Sequence, residues 1–237
     1  RRFGAALGGG TVSAGSGSIR IDRLVTSGTF SLDGGTWDVD NNVWILGDDA
    51  ECVIIDPAHD PAAVAAAVAG RKVTAILLTH GHDDHIRAVG EVRTLVNAPV
   101  YLHREDWMLW ERVFPGTEPD HAIADGDTFD VAGARLAALH TPGHSPGSVC
   151  FLLESPGTAS SESTASSETT VFSGDTLFKG GPGATGRSFS DFPTIIESIR
   201  NRLLPLPADT TVRTGHGDPT TIGAEAPHLE EWIARGH

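Results

Sequence analysis

Short apolar runs separated by Gly, Asp and Pro dominate the first part of the chain. Their length and their bounding turn residues predict strands at residues 21–25, 43–46 and 52–55. Asp60 and Pro61 then supply an N-cap and a first-turn proline for a helix that ends near Ala69. The almost wholly apolar run 73–78 is typical of a buried strand. We therefore expect a βαβ unit that ends just before His80.

The apolar pattern in the rest of the chain predicts further strands and helices. Helical spacing begins near Asp84 and continues to Val96, and a short helix around residues 105–113 carries Trp107 and Trp110 on one face. We expect these two rings to pack in the core, with a lid over a cleft as the alternative. Strands are predicted at residues 99–102, 135–139, 149–153, 170–172 and 211–213, and helices at residues 193–203 and 224–234.

Two stretches contain too little apolar surface to offset the entropy lost on ordering. Residues 1–18 are rich in Gly, Ala and Ser, and we interpret them as a flexible leader or an expression remnant. Residues 154–170 are of low complexity, which predicts an exposed loop inserted in a hairpin. Residues 19–237 are then expected to form a single domain.

Composition narrows the possible functions. Of the 237 residues 39% are hydrophobic, which is enough for one substantial core. The formal net charge of −14 argues against nucleic acid or an anionic membrane surface as a partner. No apolar run approaches the roughly 20 residues that a membrane-spanning helix needs. Cys52 and Cys150 each lie in an apolar run, which predicts buried free thiols and favours a cytoplasmic location.

Histidine is concentrated in one segment. Residues 79–85 read THGHDDH and place three imidazoles beside acidic side chains, directly after a buried strand. A solvated turn requires Gly and Asp but has no need of three histidines, whereas neutral imidazole is a common ligand of zinc, iron and nickel. Three further motifs each follow an apolar run and add one candidate ligand: LHTPGHSPGS (139–148), SGDTLF (173–178) and TGHG (214–217). The sequence therefore predicts a metal site built from several loops.

These motifs, in this order, resemble the metallo-β-lactamase superfamily, and within it the single-domain enzymes of the glyoxalase II (hydroxyacylglutathione hydrolase) branch. The resemblance spans roughly residues 21–232. It implies an α/β fold that is a four-layer αβ/βα sandwich. Two mixed β-sheets would pack face to face, with helices on the outer faces and the metals at one edge.

The resemblance also implies the residues of the site. One divalent metal would be held by His80, His82 and His144, the other by Asp84, His85 and His216, with Asp175 bridging the two. Zinc is the expected metal, with iron or manganese as alternatives. Asp84 would in addition orient a hydroxide that bridges the metals and would take up its proton.

Further residues are assigned supporting roles. Asp56 and His140 are predicted to form hydrogen bonds with metal-bound imidazoles. Arg187, in the stretch GRSFSDF, and Lys179, in the same Gly-rich loop, are predicted to bind the carboxylates of a substrate. Ser145 is interpreted as structural rather than nucleophilic, and so is Cys150.

The expected activity is hydrolysis of a thioester of the S-lactoylglutathione type, or of a conjugate with another thiol carrier, by a binuclear metal centre. A persulfide dioxygenase of the same branch, which uses a single iron, is a second candidate. A lactonase or another ester hydrolase is a third, and a non-catalytic module that has lost its ligands is a fourth. Metal content and oxygen uptake on a thiol persulfide distinguish the dioxygenase from the hydrolase. The oligomeric state and the thiol carrier stay open.

Overall fold

Two six-stranded mixed sheets lie face to face in the computed structural model, which describes residues 18–154 and 169–237. The first sheet comprises, in spatial order, β1 (Arg20–Leu32), β2 (Gly35–Gly47), β3 (Glu51–Ile55), β4 (Lys72–Leu77), β5 (Val100–His103) and β6 (His121–Ile123). Strands β3 to β6 are parallel to one another, and β1 to β3 are antiparallel.

The second sheet follows in the chain. It begins with β7 (Thr128–Val131), β8 (Ala134–His140), β9 (Val149–Glu154) and β10 (Thr170–Gly174). A separate two-stranded ribbon then consists of β11 (Leu177–Phe178) and β12 (Gly181–Pro182). The sheet is completed by β13 (Thr211–Thr214) and β14 (Thr220–Thr221), in the spatial order β14-β13-β10-β9-β8-β7. Strands β10 and β13 are parallel, whereas the remaining neighbours are antiparallel.

Helices cover the outer faces of both sheets. On the first sheet lie α1 (Pro61–Val68), α2 (Asp83–Ile86), α3 (Val89–Val96) and α4 (Trp107–Val113). On the second lie α5 (Phe192–Ser198), α6 (Ile222–Glu225) and α7 (Leu229–Arg235), with a π-helical turn at Ile199–Leu203 after α5. Short 3-10 turns at Arg104–Asp106 and Ala226–His228 precede α4 and α7.

Strand alternation divides the core into three layers. In β2, Val43 and Ile45 face the helices, while Trp44 and Leu46 face the second sheet, because successive side chains of a strand point to opposite faces. The inner layer is completed from the opposite side by side chains such as Phe151. Each fully buried aliphatic side chain contributes about 1.5–3 kcal/mol relative to exposure. The four-layer sandwich implied by the sequence motifs is therefore confirmed.

The β1–β2 hairpin is much longer than the sequence pattern predicts. Each strand has 13 residues, and the register runs from Arg20 opposite Gly47 to Leu32 opposite Gly35. The two-residue turn is Asp33–Gly34, with φ of 52° and 79°, as a type I′ turn requires. An Asp-Gly pair between two strands is a strong hairpin signal, but the strand predictions depended on hydrophobicity, and the outer halves of both strands are too polar to be recognised by it.

Several local predictions are confirmed and a few need correction. Helix α1 begins at Pro61, and the side chain of Asp60 accepts a hydrogen bond from the Ala63 amide, as the N-cap prediction requires. The single helix predicted from Asp84 is instead two, α2 and α3, which are separated by Arg87 and Ala88. Strands β6, β7, β11, β12 and β14 were not predicted, since they have only two to four residues.

The tryptophan pair belongs to the core. Trp110 is buried against the helices of the first sheet, and the indole of Trp107 donates to the carbonyl of Leu102 at 3.0 Å. Both rings therefore pack against the core, as expected from the sequence. The two cysteines are buried and free, as predicted, and burial raises the pKa of Cys150 to about 11.

Two predictions concern parts of the chain outside the described residues. They are the leader at residues 1–18, of which only residue 18 is described, and the exposed loop at 154–170, of which only the ends are described. Strands β9 and β10, which flank that loop, pair antiparallel. Within the described ranges, no helix is long and apolar enough to cross a membrane.

Candidate metal centre

The seven predicted ligands meet at one end of the sandwich, because they lie in loops that follow strand ends. Residues 79–85 follow β4, His144 lies between β8 and β9, Asp175 follows β10 and His216 follows β13. Backbone bonds join the two sheets here: the Val149 amide donates to the Thr79 carbonyl at 2.8 Å. The carboxyl ends of strands from both sheets therefore converge on one region.

The first group of candidate ligands, called the first triplet below, is His80, His82 and His144. His80 Nε2 lies 3.1 Å from His82 Nδ1, and His82 Nδ1 lies 3.0 Å from His144 Nε2. All three side chains are buried. Three imidazole nitrogens thus point at a common position, which is the donor set of many catalytic zinc sites.

The second triplet is Asp84, His85 and His216. Asp84 Oδ2 lies 3.4 Å from His85 Nε2 and 3.3 Å from His216 Nε2, and the two imidazole nitrogens are 3.3 Å apart. Asp84 and His85 are buried, while His216 is a quarter exposed. One carboxylate and two imidazoles therefore converge on a second position.

Asp175 contacts both triplets. Its Oδ2 lies 3.4 Å from His144 Nε2, in the first triplet, and 3.2 Å from His216 Nε2, in the second. Its Oδ1 lies 3.4 Å from His85 Nε2. The structure thus brings together all seven residues that the sequence motifs single out, with Asp175 between the two groups.

Backbone carbonyls orient two of the rings. His144 Nδ1 lies 2.8 Å from the carbonyl oxygen of Ala184, and His216 Nδ1 lies 2.7 Å from that of Asp40. A carbonyl oxygen only accepts hydrogen bonds, so each Nδ1 must carry the proton. Each Nε2 then presents its lone pair to the cluster, which is the tautomer that binds a metal.

Asp56 orients two more rings. His85 Nδ1 lies 2.9 Å from Asp56 Oδ2, and the Thr79 hydroxyl donates to the same oxygen at 2.6 Å. Since the Thr79 hydroxyl is the donor in that bond, its oxygen is free to accept from His80 Nδ1, which is 3.0 Å away. Asp56 therefore holds His85 directly and His80 through Thr79, with both Nε2 lone pairs directed into the site.

This arrangement fits bound cations. Nitrogen lone pairs that face each other repel unless a proton or a cation lies between them. His82 Nδ1 faces the Nε2 atoms of both His80 and His144, and a single proton can form a hydrogen bond with only one of them. Asp175 Oδ1 is among the buried polar atoms of the described residues that have no hydrogen-bond partner. Imidazole and carboxylate are ligands shared by zinc, iron and manganese. The donor set therefore fits two divalent cations and leaves the metal open.

Without a cation, opposite charges balance within the cluster. Burial lowers the pKa of His82 to about 3. Burial also disfavours the charged forms of His85 and His216, but the attraction of the neighbouring carboxylates is stronger than this effect. The pKa of His85 is therefore raised well above its ordinary value, and that of His216 to about 10. Burial alone would raise the pKa values of Asp84 and Asp175, but the attraction of these imidazoles is stronger. The pKa of Asp84 therefore falls to about 2, and that of Asp175 lies well below its usual range.

A cavity of about 320 Å³ opens over the cluster. Members of both triplets line it together with apolar side chains and one arginine: Phe30, Val39, Phe178, Ala184 and Arg187. The Arg187 guanidinium lies over the ring of Trp37 at 4.3 Å and that of Phe30 at 5.5 Å. The cavity thus combines an apolar wall with a cation that packs against the β1–β2 hairpin.

The remaining predicted residues have different positions. Lys179 is exposed in the turn between β11 and β12, and it is not one of the described residues that line the cavity. His140 stacks on His103, and its Nε2 lies 2.9 Å from the carbonyl of Pro146. In the described part of the chain, His140 therefore contacts the loop that carries His144 rather than one of the seven side chains.

Sequence reasoning missed Asn41. Its side chain is fully buried, and its Nδ2 donates to Asp84 Oδ2 at 3.0 Å. Asn41 Oδ1 lies 2.7 Å from His59 Nε2. No spacing pattern connects these residues, which come from β2, from the loop before α1 and from α2, so only the folded chain shows that Asn41 holds the Asp84 carboxylate.

Comparison with known proteins agrees with this geometry. The family model of the metallo-beta-lactamase superfamily matches residues 36–216. The probable metallo-hydrolase YqgX of Bacillus subtilis is 34% identical over 198 residues, covering 78% of this chain and 88% of that protein. The hydroxyacylglutathione hydrolase GloC of Haemophilus influenzae is 31% identical over 196 residues, covering 76% of this chain and 87% of that protein.

Two solved structures resemble this fold and have similar sequence identity to the chain. The BLEG-1 B3 metallo-beta-lactamase is 32% identical with a TM-score of 0.67, covering 86% of this chain and 98% of that chain. TTHA1623 in a di-iron-bound form is 33% identical with a TM-score of 0.63, covering 79% of this chain and 93% of that chain. One of these structures is named for β-lactamase activity and the other for its di-iron-bound form, so the likeness leaves the metal and the substrate of this chain open.

Proposed function

The chain belongs to the metallo-beta-lactamase superfamily, and we propose that it is a binuclear metallohydrolase that cleaves thioesters of the S-lactoylglutathione type or of another low-molecular-weight thiol. The observation that carries this proposal is the position of Asp175. Its carboxylate lies 3.2–3.4 Å from imidazole nitrogens of both triplets, as a ligand shared by two cations would.

Bound divalent cations would lower the pKa of a coordinated water to about 7 and polarise a substrate carbonyl. The first triplet would hold one cation, and the second triplet the other, with Asp175 between them. Asp84 lines the cavity, and its carboxylate would orient the attacking water and take up its proton. Asn41 donates to Asp84 Oδ2 and restricts its position. Phe30 and Phe178 line the same cavity and make part of its wall apolar.

Two observations support a thioester as the substrate. GloC, which is 31% identical over most of both chains, is named a hydroxyacylglutathione hydrolase. The cavity wall is largely apolar and suits the acyl and sulfur parts of a thioester, while Arg187 could pair with a carboxylate of the thiol carrier. Cytoplasmic location and zinc as the metal belong to the same proposal.

The proposal is tested with a substrate panel on protein loaded with zinc, iron or manganese. The panel contains S-lactoylglutathione, thioesters of different small thiols, a lactone, the β-lactam nitrocefin and glutathione persulfide with an oxygen electrode. We expect thioester hydrolysis with two cations per chain. The Asp175→Ala variant is the control for turnover that does not depend on the metal centre.

Different results on the same panel would replace the proposal. One iron per chain with oxygen consumption on the persulfide would indicate a dioxygenase. Faster turnover of nitrocefin would assign the chain to the activity named for BLEG-1, and faster turnover of the lactone to a lactonase. Absence of bound divalent cation in protein that is folded and purified without chelator would contradict the metal centre itself.

A further inference from the structure

A fully buried carboxylate lies beside the first triplet without belonging to it. Asp106 ends the 3-10 turn that precedes α4, and its side chain has no exposed surface. It is distant in sequence from both loops that carry the first triplet, namely the histidine loop (residues 79–85) and the connecting loop between β8 and β9 (residues 141–148).

Asp106 accepts three hydrogen bonds, which come from both loops. Its Oδ2 accepts from the Gly81 amide at 2.8 Å and from the Ser145 hydroxyl at 2.7 Å. Its Oδ1 accepts from the Gly147 amide at 2.6 Å. Gly81 lies between His80 and His82 in the chain, and Ser145 directly follows His144, so one carboxylate joins the backbones on which all three imidazoles are carried.

Close packing of the backbone points to the same role independently. A Cβ atom on Gly147 would lie 2.7 Å from the Asp106 amide nitrogen, and one on Gly81 would lie 3.0 Å from the Asp106 carbonyl oxygen. Real Cβ atoms rarely approach other atoms so closely. Both loops therefore need glycine where they meet Asp106.

The cost of burial argues against an incidental carboxylate. Burial raises the pKa of Asp106, while the bonds from Ser145, Gly81 and Gly147 act in the opposite direction. A buried carboxylate is strongly unfavourable unless hydrogen-bond donors are arranged around it. Here three donors are arranged around it, and two of them are amides of the ligand-bearing loops.

We propose that Asp106 is a positioning residue that sets the separation of the two loops and thereby the affinity of the first triplet for its cation. This inference rests on the proposed metal centre. The second triplet is held by different groups: Asp56 contacts His85, the Asp40 carbonyl contacts His216 and Asn41 contacts Asp84. Loss of Asp106 should therefore affect the two cation positions unequally.

The test uses Asp106→Asn, which keeps the size of the side chain but replaces one carboxylate oxygen by an NH2 group. In either orientation this group faces a backbone N–H, so one loop loses its bond. Ser145→Ala is a milder variant that removes the hydroxyl bond to Asp106, together with the bond of the same hydroxyl to Ser148 at 2.8 Å, and keeps both backbone amide bonds to Asp106. Asp48→Asn is the matched control, because Asp48 is also buried, accepts two backbone amides, from Ala50 and Glu51, and lies at the opposite end of β3 from Asp56.

Each protein is titrated with Zn²⁺ against a chromophoric chelator and with Co²⁺ by absorption spectroscopy, and its Tm is measured without metal. We expect Asp106→Asn to weaken one of the two cation affinities by about 10–100-fold, the range typical of residues that support metal ligands. The second affinity should stay near that of the unsubstituted protein, and the Co²⁺ spectrum should change for one ion only. Ser145→Ala should show the same asymmetry to a smaller extent. Asp48→Asn can keep both of its amide bonds at its one remaining oxygen and should change neither affinity.

Two results would contradict the inference about Asp106 without contradicting the proposed metal centre. They are unchanged affinities in Asp106→Asn, or an equal loss at both positions together with a lowered Tm, since a purely structural role produces these. If Asp106→Asn does not fold, Ser145→Ala decides in the same way. Failure of the unsubstituted protein to bind two cations would instead contradict the proposed function, so the two failures are distinguishable.

Discussion

Replacing Asp56 by Asn tests whether the carboxylate that orients two imidazoles also governs metal binding. Asp56 has φ of 51°, a left-handed conformation that Asn tolerates well, so the variant should keep the backbone path. The native side chain is buried and accepts from the Thr79 amide at 2.8 Å, from the Thr79 hydroxyl at 2.6 Å and from His85 Nδ1 at 2.9 Å.

The magnitude follows from these contacts. Asn has one acceptor oxygen in place of two, so in its better orientation it keeps two of the three bonds and leaves the Thr79 amide facing an NH2 group. An unsatisfied buried donor costs about 1–3 kcal/mol. In a domain of this size, that free energy lowers Tm by about 2–4 °C for each kcal/mol. Both His85 and, through Thr79, His80 lose the charge that fixes their tautomers, so both cation affinities should fall by about 10–100-fold.

Urea denaturation of the metal-free protein measures the stability change, and competition with a chelator measures the affinities. Thr79→Val is the matched variant, because it removes the hydroxyl that links Asp56 to His80 but leaves the contact with His85. We expect it to weaken mainly the first triplet. Metal affinities unchanged in Asp56→Asn, despite a lower free energy of unfolding, would refute the reasoning and leave Asp56 with a structural role only.

Three further results are expected. Asp175→Ala should lower both the bound metal, measured by mass spectrometry, and thioester turnover; full activity would contradict the bridging position. Arg187→Met should raise KM for a thioester that carries carboxylates but not for an uncharged thioester. Trp37→Ala, which removes the ring beneath Arg187, should raise KM for the carboxylate-bearing thioester by a smaller factor. Equal effects on the two substrates would exclude carboxylate binding by Arg187. At pH 8 a thiol with a pKa of about 11 is only about 0.1% thiolate, so Cys150 in the folded protein should not react with a disulfide reagent, and neither should the buried Cys52. Both thiols should react in unfolded protein. Rapid labelling of the native chain would contradict the burial.

Local patterns predicted the elements whose stabilising interactions are close in sequence. The N-cap of α1 joins Asp60 to Ala63, three residues apart, and strand β4 is recognisable as an apolar run. The short strands and the outer part of the β1–β2 hairpin escaped prediction because neighbouring strands, rather than their own hydrophobicity, stabilise them. In that hairpin the Asp33–Gly34 turn was the only strong local signal.

The seven site residues could be selected from the sequence because the motifs that carry them resemble those of a known superfamily. That they bind metal stays a prediction, although the structure places their donor atoms together. The two predicted supporting residues differ: Asp56 bonds directly to His85, whereas His140 bonds to the backbone of Pro146. Nothing in the local pattern separates these two cases, since both residues simply follow or end a strand near the site.

The sequence by itself determined many of the strands and helices, because strand periodicity and capping residues are local properties. Its motifs implied the layered fold and the set of candidate ligands through their resemblance to a known superfamily. Only the tertiary structure decided how the ligands are held. The carbonyls of Ala184 and Asp40, which set the tautomers of His144 and His216, are backbone atoms that any residue could supply. Asp106 likewise has no local signature, because it acts on loops 25 and 41 residues away along the chain. Such contacts exist only when the sheets pack together, since packing alone brings these distant backbones within hydrogen-bonding distance.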